Sequence, residues 1–249
     1  MAFKDHFSRD SISYRDNRPR YDVDLVDILA APIKGRALAV DVGCGSGQFS
    51  TLLAERFDHV IAADGSKSQI AAAGSHPKVD FRVATAETLN LADESADLIT
   101  VMQAAHWFDR EAFYKVADRA LKPGGALALV GYALTRVNEA VDAAIDEFYD
   151  GIIGPYWPPE RKHMDNAYAE FSFPYSEISP GNYTMRVEWT FEQLYRYLDT
   201  WSAVGRATEA LGHNPLQDFA PTLKAAWGEA ETLTVSWPMF MRYGLKPGT

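Results

Sequence analysis

Three glycines alternate in 41-DVGCGSG-47, between a hydrophobic run and an amphipathic one. Glycines at such a junction permit positive φ and let the backbone approach a ligand closely. A helix opening after them offers free N–H groups and a partial positive charge. A dinucleotide fingerprint reads G-x-G-x-x-G, but in Gly43-x-Gly45-x-Gly47 the third glycine comes one residue early. Asp41, two residues before Gly43, points the same way, because a carboxylate repels a pyrophosphate and attracts an ammonium. Asp64 ends the next apolar run, 21 residues after Gly43. An acidic side chain there can accept both hydroxyls of a ribose. After the third run, 84-ATAETL-89 occupies the loop where an adenine edge would lie.

These residues ask for a nucleoside with a cationic amino-acid tail, a description that S-adenosylmethionine fits. Other reactive residues are fewer. His106 and Trp107 follow the fourth apolar run, at the carboxyl end where open α/β sheets bind ligands. His106 can orient a substrate or accept a proton, or simply pack. Cys44, the single cysteine, excludes an internal disulfide and reads as a small residue in a glycine turn. The remaining histidines show no ligand spacing, so no metal is expected. Arg18, Arg136, Arg161, Arg186 and Arg206 are possible anchors for an anionic substrate, since a guanidinium holds carboxylate bidentately.

The elements that must position these residues follow from periodicity. Apolar or β-branched runs at 36–42, 59–64, 79–84, 97–102 and 126–132 alternate with helical patterns such as Phe49, Leu52, Leu53 and Phe57. Strands alternating with helices imply a parallel sheet covered on both faces. Residues 151–181 carry Pro155, Pro158, Pro159, Pro174 and Pro180 among aromatics and predict an irregular but ordered excursion. Next, 183-YTMRVEWT-190 alternates like a strand, and Phe191, Leu194, Leu198, Trp201 and Val204 trace one helix face. The run 233-LTVSWPMFMRY-243 predicts a closing strand, with Pro238 suggesting an edge or a bulge.

In this order, D-V-G-C-G-S-G, Asp64, A-E-x-L and L-K-P-G-G resemble the class I S-adenosylmethionine-dependent methyltransferases over roughly residues 36–132. The flanking Y-R-x-x-R-P-x-Y (Tyr14 to Tyr21), 103-QAAHWFD-109, 155-PYWPPER-161 and 199-DTWSA-203 resemble the small-molecule enzymes related to trans-aconitate methyltransferase. The resemblance implies that Asp41, Gly43 and Gly45 face the methionine part, Asp64 and Ser66 the ribose, and Thr85, Ala86 and Glu87 the adenine, Ala86 through its backbone. The first flanking segment would be a helix lidding the cofactor. Arg18, Cys44, Gly47, Gln48, Gly65 and Gln103 complete the expected cofactor set. Tyr14, His106 and Trp107 form the expected catalytic set.

The expected fold is a Rossmann-like α/β three-layer sandwich with a mostly parallel seven-stranded sheet and an antiparallel closing strand. It divides a single domain into an N-terminal lid (1–35), a cofactor-binding core (36–132), a helical and irregular substrate-side insertion (133–232) and the closing strand (233–249). The expected activity is methyl transfer to a small molecule, with oxygen the first acceptor atom and a carboxylate among its candidate sources. Nitrogen or carbon acceptors, and a non-catalytic cofactor-binding module, stay open. The 249 residues carry 34 acidic against 24 basic side chains, a net charge of −10. That balance disfavours a nucleic-acid or anionic-membrane partner. With no apolar run of about 18 residues and a polar start, a soluble cytoplasmic protein is expected. Oligomeric state is not legible.

Overall fold

The structure, a computed structural model, describes residues 18–248. Its centre is a seven-stranded sheet in the order β3-β2-β1-β4-β5-β7-β6. The strands are β1 (Leu38–Val42), β2 (His59–Asp64), β3 (Val79–Val83), β4 (Ala96–Met102), β5 (Leu121–Tyr132), β6 (Thr184–Trp189) and β7 (Leu233–Leu245). Strands β1 to β5 pair in parallel, and β7 runs antiparallel to both of its neighbours. The order reverses at β1, between β2 and β4, so the carboxyl ends of β1 and β4 open a crevice of the kind that binds ligands.

Alternate residues of the parallel strands serve opposite layers, as a period of two requires. Ala39, Val60, Leu98, Ala128 and Val130 pack with α1 (Val23–Ala30) and α2 (Gln48–Leu53). Val40, Ile61, Ile99, Leu127 and Leu129 pack with Phe113 and Ala117 of α4 (Arg110–Ala120) on the other face. Both faces are covered, which is why these strands read as nearly unbroken apolar runs. A short α3 (Lys67–Ala72) follows β2.

Beyond β5 the chain builds a second apolar cluster from α5 (Glu139–Asp146), α7 (Phe191–Asp199), α8 (Ser202–Leu211) and α9 (Pro215–Trp227), together with β6 and the first half of β7. Tyr197, Trp201, Trp227 and Trp237 are buried at its heart. The proline-rich excursion is ordered as expected. It contains the short α6 (Arg161–Asp165), and it sends Met164, Tyr168, Phe171 and Tyr175 back onto the α4 face of the sheet.

Three expectations need correction. Phe191 to Val204 is not one helix: Trp201 is extended (ψ 132°) between α7 and α8, and the Thr200 hydroxyl closes the end of α7 on the Tyr197 carbonyl at 2.6 Å. Strand β7 is not an edge. Residues 233–238 pair with β6, and 239–245 pair with β5 on the other side. Pro238 is tolerated because its backbone faces the β5 side just where β5 ends, its carbonyl accepting the Ala133 N–H at 2.8 Å. Of the N-terminal lid, Tyr14 and the rest of residues 1–17 lie outside the described residues. Residues 18–22 are not helical, and α1 is a layer helix with Leu25, Val26 and Leu29 fully buried.

Candidate active site

The glycine loop leaves β1 through three left-handed residues: Gly43, Gly45 and Gly47 have φ of +72°, +56° and +82°. Backbone N–H groups of Gly43 and Cys44 both bond the Ala63 carbonyl, at 2.8 and 3.0 Å, which anchors the loop to the end of β2. An added Cβ at Gly43 would lie 2.7 Å from Ala104 Cβ, so only glycine lets the loop meet the segment after β4. At Gly45 the nearest atom to such a Cβ among the described residues is Gln69 Oε1, an ordinary contact at 3.7 Å. Gly47 precedes α2, whose first residue is the half-buried Gln48. Burial pushes the Cys44 thiol far above its ordinary range, with Asp41 and Asp64 adding to the effect. The residue is a packed thiol, not a thiolate.

The two acidic residues brace this loop from below and beside. Asp41 is fully buried and accepts the Ser50 hydroxyl at 2.6 Å and the Thr100 hydroxyl at 3.1 Å. Desolvation lifts its pKa to about 6 against the pull of those two bonds, and Asp64 repels it further. Asp64 spans the loop: one oxygen accepts the Gly45 N–H at 2.9 Å, the other the Ser66 N–H at 2.8 Å. Gly65, half-buried, forms the bend between them, and Ser66 caps α3 through Gln69 N–H.

On the far side of the crevice, the Thr85 hydroxyl meets that of Thr88 at 2.9 Å, and Ala86 is buried. Glu87 accepts the Asp109 N–H at 2.9 Å at the start of α4. That bond fixes the loop after β3 to the segment that carries His106. Gln103, half-buried, holds φ +56° while its N–H bonds Val130. A left-handed non-glycine at a strand end is strain of the kind found at ligand sites.

After β4, a single 3₁₀ turn (Ala105–Trp107) presents His106 and Trp107 side by side, with ring centroids 4.6 Å apart. His106 Nδ1 lies 3.1 Å from the Tyr168 hydroxyl. Desolvation pushes the imidazole pKa down to about 3, and the charges of Arg161 and His163 help. Helix α6 packs on this turn and brings Arg161 to it. Arg161 Nε bonds the Tyr149 hydroxyl (2.9 Å) and Asp165 (3.2 Å), and its guanidinium lies over Trp157 at 5.0 Å. Its terminal nitrogens make no hydrogen bond among the described residues.

Comparison with known proteins identifies the family. A family model described as a methyltransferase domain matches residues 40–129. A protein of Dictyostelium discoideum named as a methyltransferase is 32% identical over 247 residues, covering 96% of this chain and 94% of its own. The chain belongs to the methyltransferase family. A solved chain described as a type II methyltransferase from Anaeromyxobacter dehalogenans is 40% identical, with a TM-score of 0.88 over 93% of this chain and 99% of that one. The ubiquinone biosynthesis O-methyltransferase of Sinorhizobium fredii is 37% identical over 139 residues, 53% of this chain and 54% of that protein.

Other residues of this methyltransferase lie where sequence reasoning did not put them. Arg18 donates to the Tyr132 hydroxyl at 3.1 Å and the Thr200 carbonyl at 3.3 Å, and lies over the Tyr197 ring. These contacts tie it to the second cluster. Arg136 is paired with Asp146 at 2.7 Å, and Arg186 and Arg206 are exposed. Tyr168 and Ser50 carried no motif that singled them out; the hydrogen bonds to His106 and Asp41 reveal them. No group of three or more His, Cys, Asp or Glu among the described residues could hold a metal ion. None of the described helices is long and apolar enough to cross a membrane.

Proposed function

We propose that this methyltransferase uses S-adenosylmethionine to methylate an oxygen of a small carboxylate-bearing molecule. The residues suit that cofactor: a Cβ added at Gly45 would meet nothing closer than 3.7 Å among the described residues, and the Asp64 carboxylate ends β2 directly beside the glycine loop, bonded to the Gly45 and Ser66 N–H groups. Gly43, Gly45 and Asp41 are assigned to the methionine part, with Cys44, Gly47 and Gln48 shaping the turn around them. Asp64, Gly65 and Ser66 are assigned to the ribose, Thr85 and the Ala86 backbone to the adenine. Glu87 and Gln103 hold the two rims. When bound, S-adenosylmethionine supplies a methyl group on a sulfonium, which an oxygen nucleophile displaces in line.

The observation that carries the acceptor class is His106. An imidazole held neutral down to about 3 is a poor base, whereas a phenol or alcohol needs one poised near neutral pH. A carboxylate is already ionised there. Arg161 offers it positive charge beside His106, and Trp107, Tyr149 and Trp157 wall the site and exclude water. Holding nucleophile and methyl in line supplies roughly 7–11 kcal/mol of such a barrier, so this chain needs to position and desolvate more than to transfer protons. The name of the S. fredii relative supports oxygen as the acceptor atom.

The test is calorimetric titration with S-adenosylhomocysteine, using NAD as the control, followed by a screen of carboxylic, phenolic and amine acceptors. Binding of the first ligand alone and turnover of carboxylic acids are expected. Absence of binding overturns the cofactor assignment, and turnover confined to phenols or amines overturns the acceptor class.

A further inference from the structure

Tyr168 is an expensive residue to place. It is fully buried with φ +58°, directly after Ala167 at φ +50°. A bulky residue in the left-handed region is an outlier, and strain of this kind persists only where the surroundings over-determine it. Here they do. The ring stacks on Phe171 at 4.7 Å and meets Phe240 edge-on at 5.2 Å, and Arg242 bonds the Tyr168 carbonyl at 2.5 Å. The outcome of this bracing is one polar contact, the 3.1 Å approach of the phenol oxygen to His106 Nδ1.

The direction of that bond follows from the chemistry of the two groups. A phenol O–H is a better donor than a neutral imidazole N–H, and an imidazole nitrogen is a far better acceptor than a phenol oxygen. Burial pushes the Tyr168 phenol pKa up, which keeps its proton on the oxygen and available to donate. So Tyr168 donates and Nδ1 accepts, and the imidazole proton sits on Nε2. Nε2 takes no hydrogen bond among the described residues.

We propose that Tyr168 is a positioning residue that locks His106 as a hydrogen-bond donor, its Nε2–H directed to the acceptor oxygen, so that His106 orients the nucleophile and takes no proton from it. This rests on the carboxylate reading above and deepens it: substrates with two acceptor lone pairs on an already anionic oxygen are selected, and protonated nucleophiles are not activated. Arg161 and His163, the charged or titratable neighbours that act on His106, work in the same direction by disfavouring the imidazolium.

The decisive measurement needs neither cofactor nor acceptor. Two-bond ¹H–¹⁵N correlation spectra of the ligand-free, ¹⁵N-labelled wild-type protein at neutral pH report the tautomer of each of the six histidines, with His106 assigned by its loss in His106→Gln. A bare Nδ1 and a protonated Nε2 are expected. In Tyr168→Phe the single tautomer should give way to a mixture, with kcat/KM falling about tenfold, the loss of roughly one hydrogen bond, and S-adenosylhomocysteine affinity unchanged. A proton on Nδ1 in the wild type overturns the proposal, as does a Tyr168→Phe protein with unchanged spectrum and rate. The tautomer is read without ligands, so failure here is separate from failure of the cofactor titration.

Discussion

Asp41→Asn should make the protein more stable at neutral pH, and by an amount that depends on pH in a calculable way. The folded carboxyl has its pKa raised from 3.8 to about 6, chiefly by burial. At about 1.4 kcal/mol per pH unit, that interval corresponds to on the order of 3 kcal/mol withdrawn from stability above pH 6. The folded state holds this proton to higher pH than the unfolded chain does, so the stability contributed by Asp41 falls as pH rises from about 4 to about 6 and then levels off. His106 works in the opposite sense over the same interval, since its folded pKa is depressed from 6.5 to about 3 and the unfolded chain binds the extra proton. Only the difference between variant and wild type isolates Asp41. An asparagine can rewire the bonds: its amide donates to Thr100 Oγ1, whose own proton turns to the Val40 carbonyl at 3.4 Å. Whatever that exchange costs is independent of pH. In urea melts at pH 5 and pH 8, the advantage of Asp41→Asn should therefore grow by about 1.4 kcal/mol. A difference that stays constant between the two pH values would refute the assignment of a raised pKa to Asp41.

The remaining predictions concern the loop and the acceptor side. Asp64→Ala should weaken S-adenosylhomocysteine binding by about 1–3 kcal/mol, measured by calorimetry; unchanged affinity would remove Asp64 from the ribose site. Gly47→Ala places a methyl group in the Phe81 ring at φ +82°, and should lower stability by about 2–4 kcal/mol in denaturant melts. Gly45→Ala meets only an ordinary 3.7 Å contact with Gln69 Oε1 among the described residues, at φ +56°, so it should lose only about 1–2 kcal/mol of stability but more ligand affinity; equal effects of the two variants on both readouts would contradict this division. Arg161→Gln should raise KM for carboxylic acceptors about tenfold with kcat less affected, and an unchanged KM would argue that Arg161 only props Tyr149.

The sheet was legible because each central strand buries both faces, leaving near-continuous apolar runs bounded by turns; β2 matches its expected residues, His59 to Asp64, end for end. The glycine loop was legible for a related reason: a positive φ admits few residue types, so it is written in glycines. What could not be read were contacts between distant segments. Ser50 and Thr100 look like ordinary residues of α2 and β4 until the fold closes them on Asp41. Tyr168, 62 residues from His106, is one of 12 tyrosines, and nothing in its neighbours announces a left-handed backbone. Arg161 was one of five candidate arginines, and only the packing of α6 on the His106 turn separates it from the exposed ones. The break between α7 and α8 was hidden because Trp201 and Val204 keep the apolar spacing of a single helix while the backbone at Trp201 is extended.

Strand β7 is made after both of its partners, yet it lies between them. Until it is synthesised, β5 presents a bare row of backbone donors and acceptors along its outer side, and β6 has no sheet to join. Such an open apolar edge is a template for pairing with other chains. Contacts that close over more than a hundred residues, such as Ala126 with Leu245, form late because their loop entropy must be met first. Folding on the ribosome should thus leave a vulnerable intermediate with a finished β1–β5 sheet and an unsealed flank, exposed to chaperones and to self-association. Substitutions that weaken the hand-over at Pro238 would then reduce the yield of folded protein more than they reduce the stability of the molecules that do fold.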